Sequence, residues 1–86
     1  MHVISKKPFL EAMQQFPNAS SSILNLYHTL NKGNFMDPHQ MKHVFPSLDN
    51  FKYKDKWWVI DINGNHLRMI AVIDFQYQKI FVKHLV

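Results

Sequence analysis

Cysteine is absent from this sequence, which excludes disulfides and thiolate metal sites alike. Glycine occurs only at Gly33 and Gly64, so a glycine-rich phosphate loop is excluded too. There is no long apolar run: the longest, Met69 to Ile73, falls far short of the ~20 residues a membrane span needs. Met1 to Ser5 lead straight into Lys6-Lys7-Pro8 without an apolar signal segment, so a soluble cytoplasmic protein is expected. Acidic side chains are also scarce, six against ten Lys and Arg, which leaves a net charge of +4. On a small surface that excess favours a polyanion as partner.

What is present fits one globular domain spanning residues 1–86, with 47% apolar residues to build its core. At this size only about 60% of the unfolded surface is hidden, so most apolar side chains are needed for packing. His2-Val3-Ile4 reads as a short strand. Phe9, Ala12, Met13 and Phe16 then recur at helical spacing up to Pro17. Asn18 is expected to cap a second helix, with Ile23, Leu26, Tyr27 and Leu30 as its apolar stripe and Gly33 as its end. Asp37-Pro38-His39-Gln40 has the form of a capping box for a short helix running to Val44.

After Pro46 the period changes to two. Asn63-Gly64 predicts a two-residue hairpin turn that sets Ile60 opposite Leu67, Val59 opposite Arg68 and Trp58 opposite Met69. One face then carries Trp58, Ile60, Ile62, Leu67, Met69, Ala71 and Ile73 and must pack on the helices. The other carries Trp57, Val59, Asp61, His66 and Arg68. A last strand over Lys79–Val86 is expected to turn Ile80 and Val82 inward and Phe81 and Lys83 outward; a slip of one residue would exchange Lys83 for His84. The fold class is α+β, an N-terminal strand and a helical hairpin on one face of a small, mostly antiparallel sheet.

Arg68 lies on the face turned away from the helices. It pairs with Asp61, its diagonal neighbour, or grips phosphate with its two-pronged donor set, and the first does not exclude the second. Lys52, Lys54 and Lys56 alternate with Phe51 and Tyr53. That pattern describes a solvated edge strand, an RNA surface in which rings stack on bases and ammonium groups meet phosphates, or a turn at Asp55-Lys56 that scatters the lysines. Trp57 points outward beside Arg68, either as a stacking platform or packed under a loop or partner, while Trp58 belongs to the core. His39 and His43 stand four apart on a helix without a third ligand, and Asp61 and Asp74 lie too far apart for a two-metal site, so no metal site is expected. The outward Ile70, Val72 and Phe81 are too apolar for bare solvent and call for a cover.

The segments FPSLDNFKY, DKWWVIDI and GNHLRMIAVI, with HVISKKPFLEA at the start, resemble the HigB-type toxins of type II toxin–antitoxin systems, in the RelE superfamily. The resemblance spans nearly the whole chain. It implies a RelE-like fold and a ribosome-dependent mRNA endonuclease that works without metal or cofactor. It also implies a HigA-type DNA-binding antitoxin as partner, through which alone operator DNA would be reached, besides the ribosome and mRNA; no membrane is involved. The positions that match are Lys52, Tyr53 and Lys56 in the first motif and Asn65 and Arg68 in the second. Family members run on past the last strand into a segment with a threonine–histidine and a tyrosine–aspartate pair, to which nothing in these residues corresponds. Arg68, Lys52, Lys56, Tyr53 and His84 are therefore the catalytic candidates, and Lys54, Trp57, Asn65 and Lys83 candidates for RNA contact. The alternative is a non-catalytic domain that binds RNA, the ribosome or the antitoxin.

Overall fold

A computed structural model describes residues 1–51, 54–64 and 66–86. The chain forms strand β1 (His2–Val3), helix α1 (Lys7–Gln15), a single 3-10 turn (Pro17–Ala19), helices α2 (Ser20–Lys32) and α3 (Pro38–Val44), and strands β2 (Asp49–Asn50), β3 (Trp57–Ile62), β4 (Leu67–Asp74) and β5 (Lys79–Leu85). The five strands make one sheet in the order β1-β5-β4-β3-β2. β1 runs parallel to β5 and every other pair is antiparallel, as expected of the mostly antiparallel sheet. No helix among the described residues is long and apolar enough to cross a membrane.

Local chemistry explains the helix ends. Pro8 sits in the first turn of α1, where its missing N–H has no helical acceptor to lose. Asn18 does not cap α2. The 3-10 turn does that work with backbone alone, Ala19 N–H donating to Phe16 O at 2.9 Å and Ser20 N–H to Pro17 O, so no side-chain cap is needed. Asp37 does cap α3, its Oδ1 accepting from Gln40 N–H at 2.8 Å. Gln40 Oε1 reaches back to Met36 N–H at 2.9 Å, one residue earlier than in an ordinary capping box. Gly33 ends α2 in an extended conformation, φ −69°, so its lack of a side chain serves closeness and not handedness. A Cβ there would stand 2.3 Å from a Phe35 ring carbon.

Helices α1 and α2 lie on the inner face of the sheet. Phe9, Ile23 and Leu30 are fully enclosed against Ile60, Met69, Ile73 and Ile80, and Trp58 packs at the border of this core, edge-on to Phe75 at 6.0 Å. Burying one such large side chain contributes about 1.5–3 kcal/mol. Alternation along β4 is regular: Leu67, Met69, Ala71 and Ile73 are buried, and the residues between them are not.

The hairpin register departs from the expected one. Ile62 pairs with Leu67, Asp61 with Arg68, Ile60 with Met69 and Trp58 with Ala71, so the connection is a four-residue loop. Asn63 (φ 55°) and Gly64 (φ 64°) both take the left-handed conformation predicted for them, but His66 N–H returns to Asn63 O at 3.4 Å and lengthens the turn. The shift is two places. Because side chains alternate with period two, both faces keep the expected residues.

The β4–β5 turn is fastened by one side chain. Gln78 has φ 55°, unusual for a residue with a Cβ, and its Nε2 donates to Phe35 O at 2.6 Å and to Phe75 O at 2.8 Å. Its own carbonyl accepts from His2 N–H at 2.7 Å, which ties β1 to the same point. The terminal amine of Met1 donates to Gly33 O at the same end of β1, and Ile4 N–H closes the other end on Ile80 O at 3.1 Å.

Candidate functional site

The sheet face turned away from the helices is built in rows. One row runs Asp61–Arg68 and continues to Val86, whose backbone exchanges both hydrogen bonds with Arg68 at 3.0 and 3.4 Å. The next holds Asp49, Val59, Ile70 and His84, and the third Trp57, Val72 and Phe81. A fourth places Asp74 opposite Lys79, itself opposite His2.

Arg68 stands clear of the helices, its side chain 65% exposed. Asp61 lies directly opposite and not diagonally, a consequence of the two-place register shift, and its Oδ1 approaches Arg68 Nε at 3.5 Å. The contact uses the Nε edge of the planar guanidinium, which leaves the terminal N–H groups for a second anion. An exposed pair of this kind contributes only about 0–1 kcal/mol, so a phosphate can compete for the same cation.

β5 carries an irregularity that decides which basic side chain joins Arg68. Ala71 pairs with Val82 but Ile70 with His84, so Lys83 is the extra residue of a bulge. The bulge resets the alternation within the strand. His84, not Lys83, takes the outward place expected of Lys83, and is the diagonal neighbour of Arg68. Lys83 and His84 both border a hollow at the sheet edge shared with Pro8, Glu11 and Gln15 of the α1 side.

The remaining basic residues gather at the other end of the sheet. Lys54 N–H bonds Phe51 O at 3.3 Å and Trp57 N–H bonds Lys54 O at 3.1 Å, so a turn precedes β3 and Lys54 and Lys56 do not line an extended strand. Lys56 Nζ lies 3.9 Å from Asp74 Oδ2. Trp57 faces outward but is not beside Arg68; it lies four steps along the strand from Asp61, about 13 Å. Its ring is edge-on to Phe51 at 6.1 Å and carries the Lys54 ammonium 4.3 Å from its centroid. Lys52, Tyr53 and Asn65 lie outside the described residues.

The structure thus unites Arg68, Asp61 and His84, and separately Lys54, Lys56, Trp57 and Asp74. Between the two groups runs an apolar band of half-buried Val59, Ile70 and Val72, with Phe81 39% exposed. His39 and His43 sit on α3 with ring centroids 5.1 Å apart, and no group of three or more metal-ligating side chains occurs among the described residues. Sequence reasoning passed over Lys79, whose place opposite Asp74 depends on the β4–β5 register, and over a hollow at the hairpin end whose walls come from two stretches of chain far apart in sequence.

Comparison with known proteins agrees with the fold. The family model described as HigB toxin, RelE-like toxic component of a toxin–antitoxin system, matches residues 19–86. An mRNA interferase HigB of Escherichia coli O6:H1 is 46% identical over 85 residues, covering 99% of this chain and 82% of the relative. The mRNA interferase toxin HigB of Escherichia coli K12 and an mRNA interferase HigB of Shigella flexneri are each 40% identical over the same lengths.

Proposed function

We propose, from the premise that this chain belongs to the RelE-like HigB family of toxins, that it is the mRNA interferase of a toxin–antitoxin system. The observation that carries the mechanism is an exposed guanidinium on the sheet face opposite the helices, with an imidazole diagonal to it.

RNA contains its own nucleophile. The 2′-oxygen attacks the adjacent phosphorus, the bond from phosphorus to the 5′-oxygen breaks, and the products end in a 2′,3′-cyclic phosphate and a 5′-hydroxyl. The protein must neutralise charge on the phosphate and move two protons. Arg68 binds the phosphate, and its terminal donors suit two phosphate oxygens at once. His84 is the proton-transfer group best supported by position, with Tyr53 as the second candidate. Lys52 assists at the phosphate. Lys56 lies too far along the sheet for the same phosphate and holds the strand further on, together with Lys54 and Trp57; Asn65 and Lys83 complete the RNA contacts. Charge neutralisation falls to these side chains, which makes the reaction independent of metal.

Dependence on the ribosome follows from shape. The site is an open sheet face, and an open face does not by itself hold a flexible RNA strand with its 2′-oxygen in line. A translating ribosome supplies that alignment, which places the protein in the cytoplasm. A HigA-type antitoxin is the expected inhibitor, and the outward apolar band is suited to such a partner. The same band supports the second reading, a non-catalytic domain kept for antitoxin contact.

Mapping mRNA 5′ ends in a translating extract separates the two. Discrete new ends are expected with the unaltered protein and their loss with Arg68→Ala. Undiminished cleavage by Arg68→Ala defeats the assignment, and slowed translation without new ends favours the non-catalytic reading.

A further inference from the structure

A hollow of about 450 Å³ opens at the end of the sheet nearest Arg68. Gln15 and Phe16 from the end of α1, Asn18 from the 3-10 turn, and Asn63 and His66 from the β3–β4 loop form its walls, over Leu67. Among the described residues that line it there is no lysine, arginine, aspartate or glutamate. Three carboxamides, an imidazole and a half-buried phenyl ring remain.

That combination selects a class of ligand. A free phosphate seeks lysine or arginine, and neither lines the hollow among the described residues. A nucleobase presents donors and acceptors along one edge and an apolar face, which carboxamides and an aromatic ring match. The side chains of Gln15, Asn18 and Asn63 make no hydrogen bond with another described residue, so their donors and acceptors are available to a ligand. The location adds a constraint. The loop carrying Asn63 and His66 begins one pair, Ile62–Leu67, beyond the Asp61–Arg68 row, so a strand whose phosphate sits on Arg68 has only that end of the sheet to cross for a neighbouring base to reach the hollow.

We infer that this hollow is a base-reading subsite for single-stranded RNA, in which Gln15 and Asn18 contact the base edge and Phe16 its face. The inference rests on the mRNA-cleaving reading and adds the element that chooses where the message is cut. It also explains why neither lysine nor arginine is among the described lining residues: phosphate binding on the open face positions the strand, and hydrogen bonds from carboxamides in the hollow specify the base.

The test uses Gln15→Ala combined with Asn18→Ala, both exposed and so tolerant of truncation. Mapped in a translating extract, cuts should persist while the nucleotide preference at one position beside the cut falls by roughly tenfold. An unchanged preference in an actively cutting variant overturns the subsite and leaves the toxin reading intact. An absence of cuts with the unaltered protein overturns both. Unchanged preference with loss of antitoxin binding would assign the hollow to a protein partner and equally overturns it. Binding gives an independent readout: in Arg68→Ala protein, the side-chain amide signals of Asn18 and Asn63 should shift with a short oligoribonucleotide and not with inorganic phosphate, and the reverse pattern refutes the proposal.

Discussion

Replacing Asp61 by asparagine separates two ideas about Arg68. The carboxylate is 29% exposed and its Oδ1 lies 3.5 Å from Nε. At that distance the bare Coulomb attraction is about 1.2 kcal/mol in water and several times that at a lower effective dielectric, but exposure and salt reduce the net contribution to about 0.2–1 kcal/mol. Asparagine keeps the shape and removes the charge, so folding stability should fall by no more than about 1 kcal/mol. For RNA the sign reverses. A phosphate on the terminal donors no longer shares the guanidinium with a neighbouring negative charge, and affinity for single-stranded RNA should rise by the same free energy, roughly 1.4- to 5-fold. Fluorescence anisotropy with a labelled oligoribonucleotide at two salt concentrations measures it, and the gain should be larger at low salt. Weaker binding by Asp61→Asn would refute the reasoning, because it would mean that Asp61 holds Arg68 in place for the phosphate instead of competing with it.

Truncating Gln78 to alanine removes hydrogen bonds of 2.6 and 2.8 Å to the Phe35 and Phe75 carbonyls and should cost about 1–3 kcal/mol, read as an earlier urea midpoint. The two glycines should respond differently to alanine. Gly33→Ala meets the Phe35 ring at 2.3 and 2.4 Å and Thr29 O at 2.9 Å and should lose about 1–3 kcal/mol, whereas Gly64→Ala finds open space and should lose about 1 kcal/mol through its φ of 64° alone; thermal melts compare them. Phe9→Ala empties a fully enclosed site and should cost about 3–5 kcal/mol, enough to leave much of the protein unfolded in circular dichroism at growth temperature.

The features legible in the sequence are those set by periodicity. The stripes of α1 and α2 and the inner face of β3 and β4 depend only on which residues are apolar, and an error of two places in the hairpin register left them intact. A two-residue turn and a four-residue loop both use left-handed Asn63 and Gly64, so composition could not distinguish them. The bulge at Lys83 was beyond reach because it depends on how β5 meets β4, not on any pattern within KIFVKHL. The cap of α2 failed as a prediction because backbone donors and acceptors in the 3-10 turn satisfy each other, which no side-chain rule registers. The hollow near Arg68 draws on residues about fifty positions apart and becomes visible only once the chain has folded.

The placement of β5 has a consequence for synthesis. This strand lies between β1 and β4, pairing His2 with Lys79, and residue 86 beside it secures the backbone of Arg68. Contacts so distant in sequence form late, since a long loop must close before they give anything back. A ribosome making this chain therefore carries β4 with one side bare until β5 has cleared the exit tunnel. Until then the backbone of Arg68 lacks the two hydrogen bonds that residue 86 gives it.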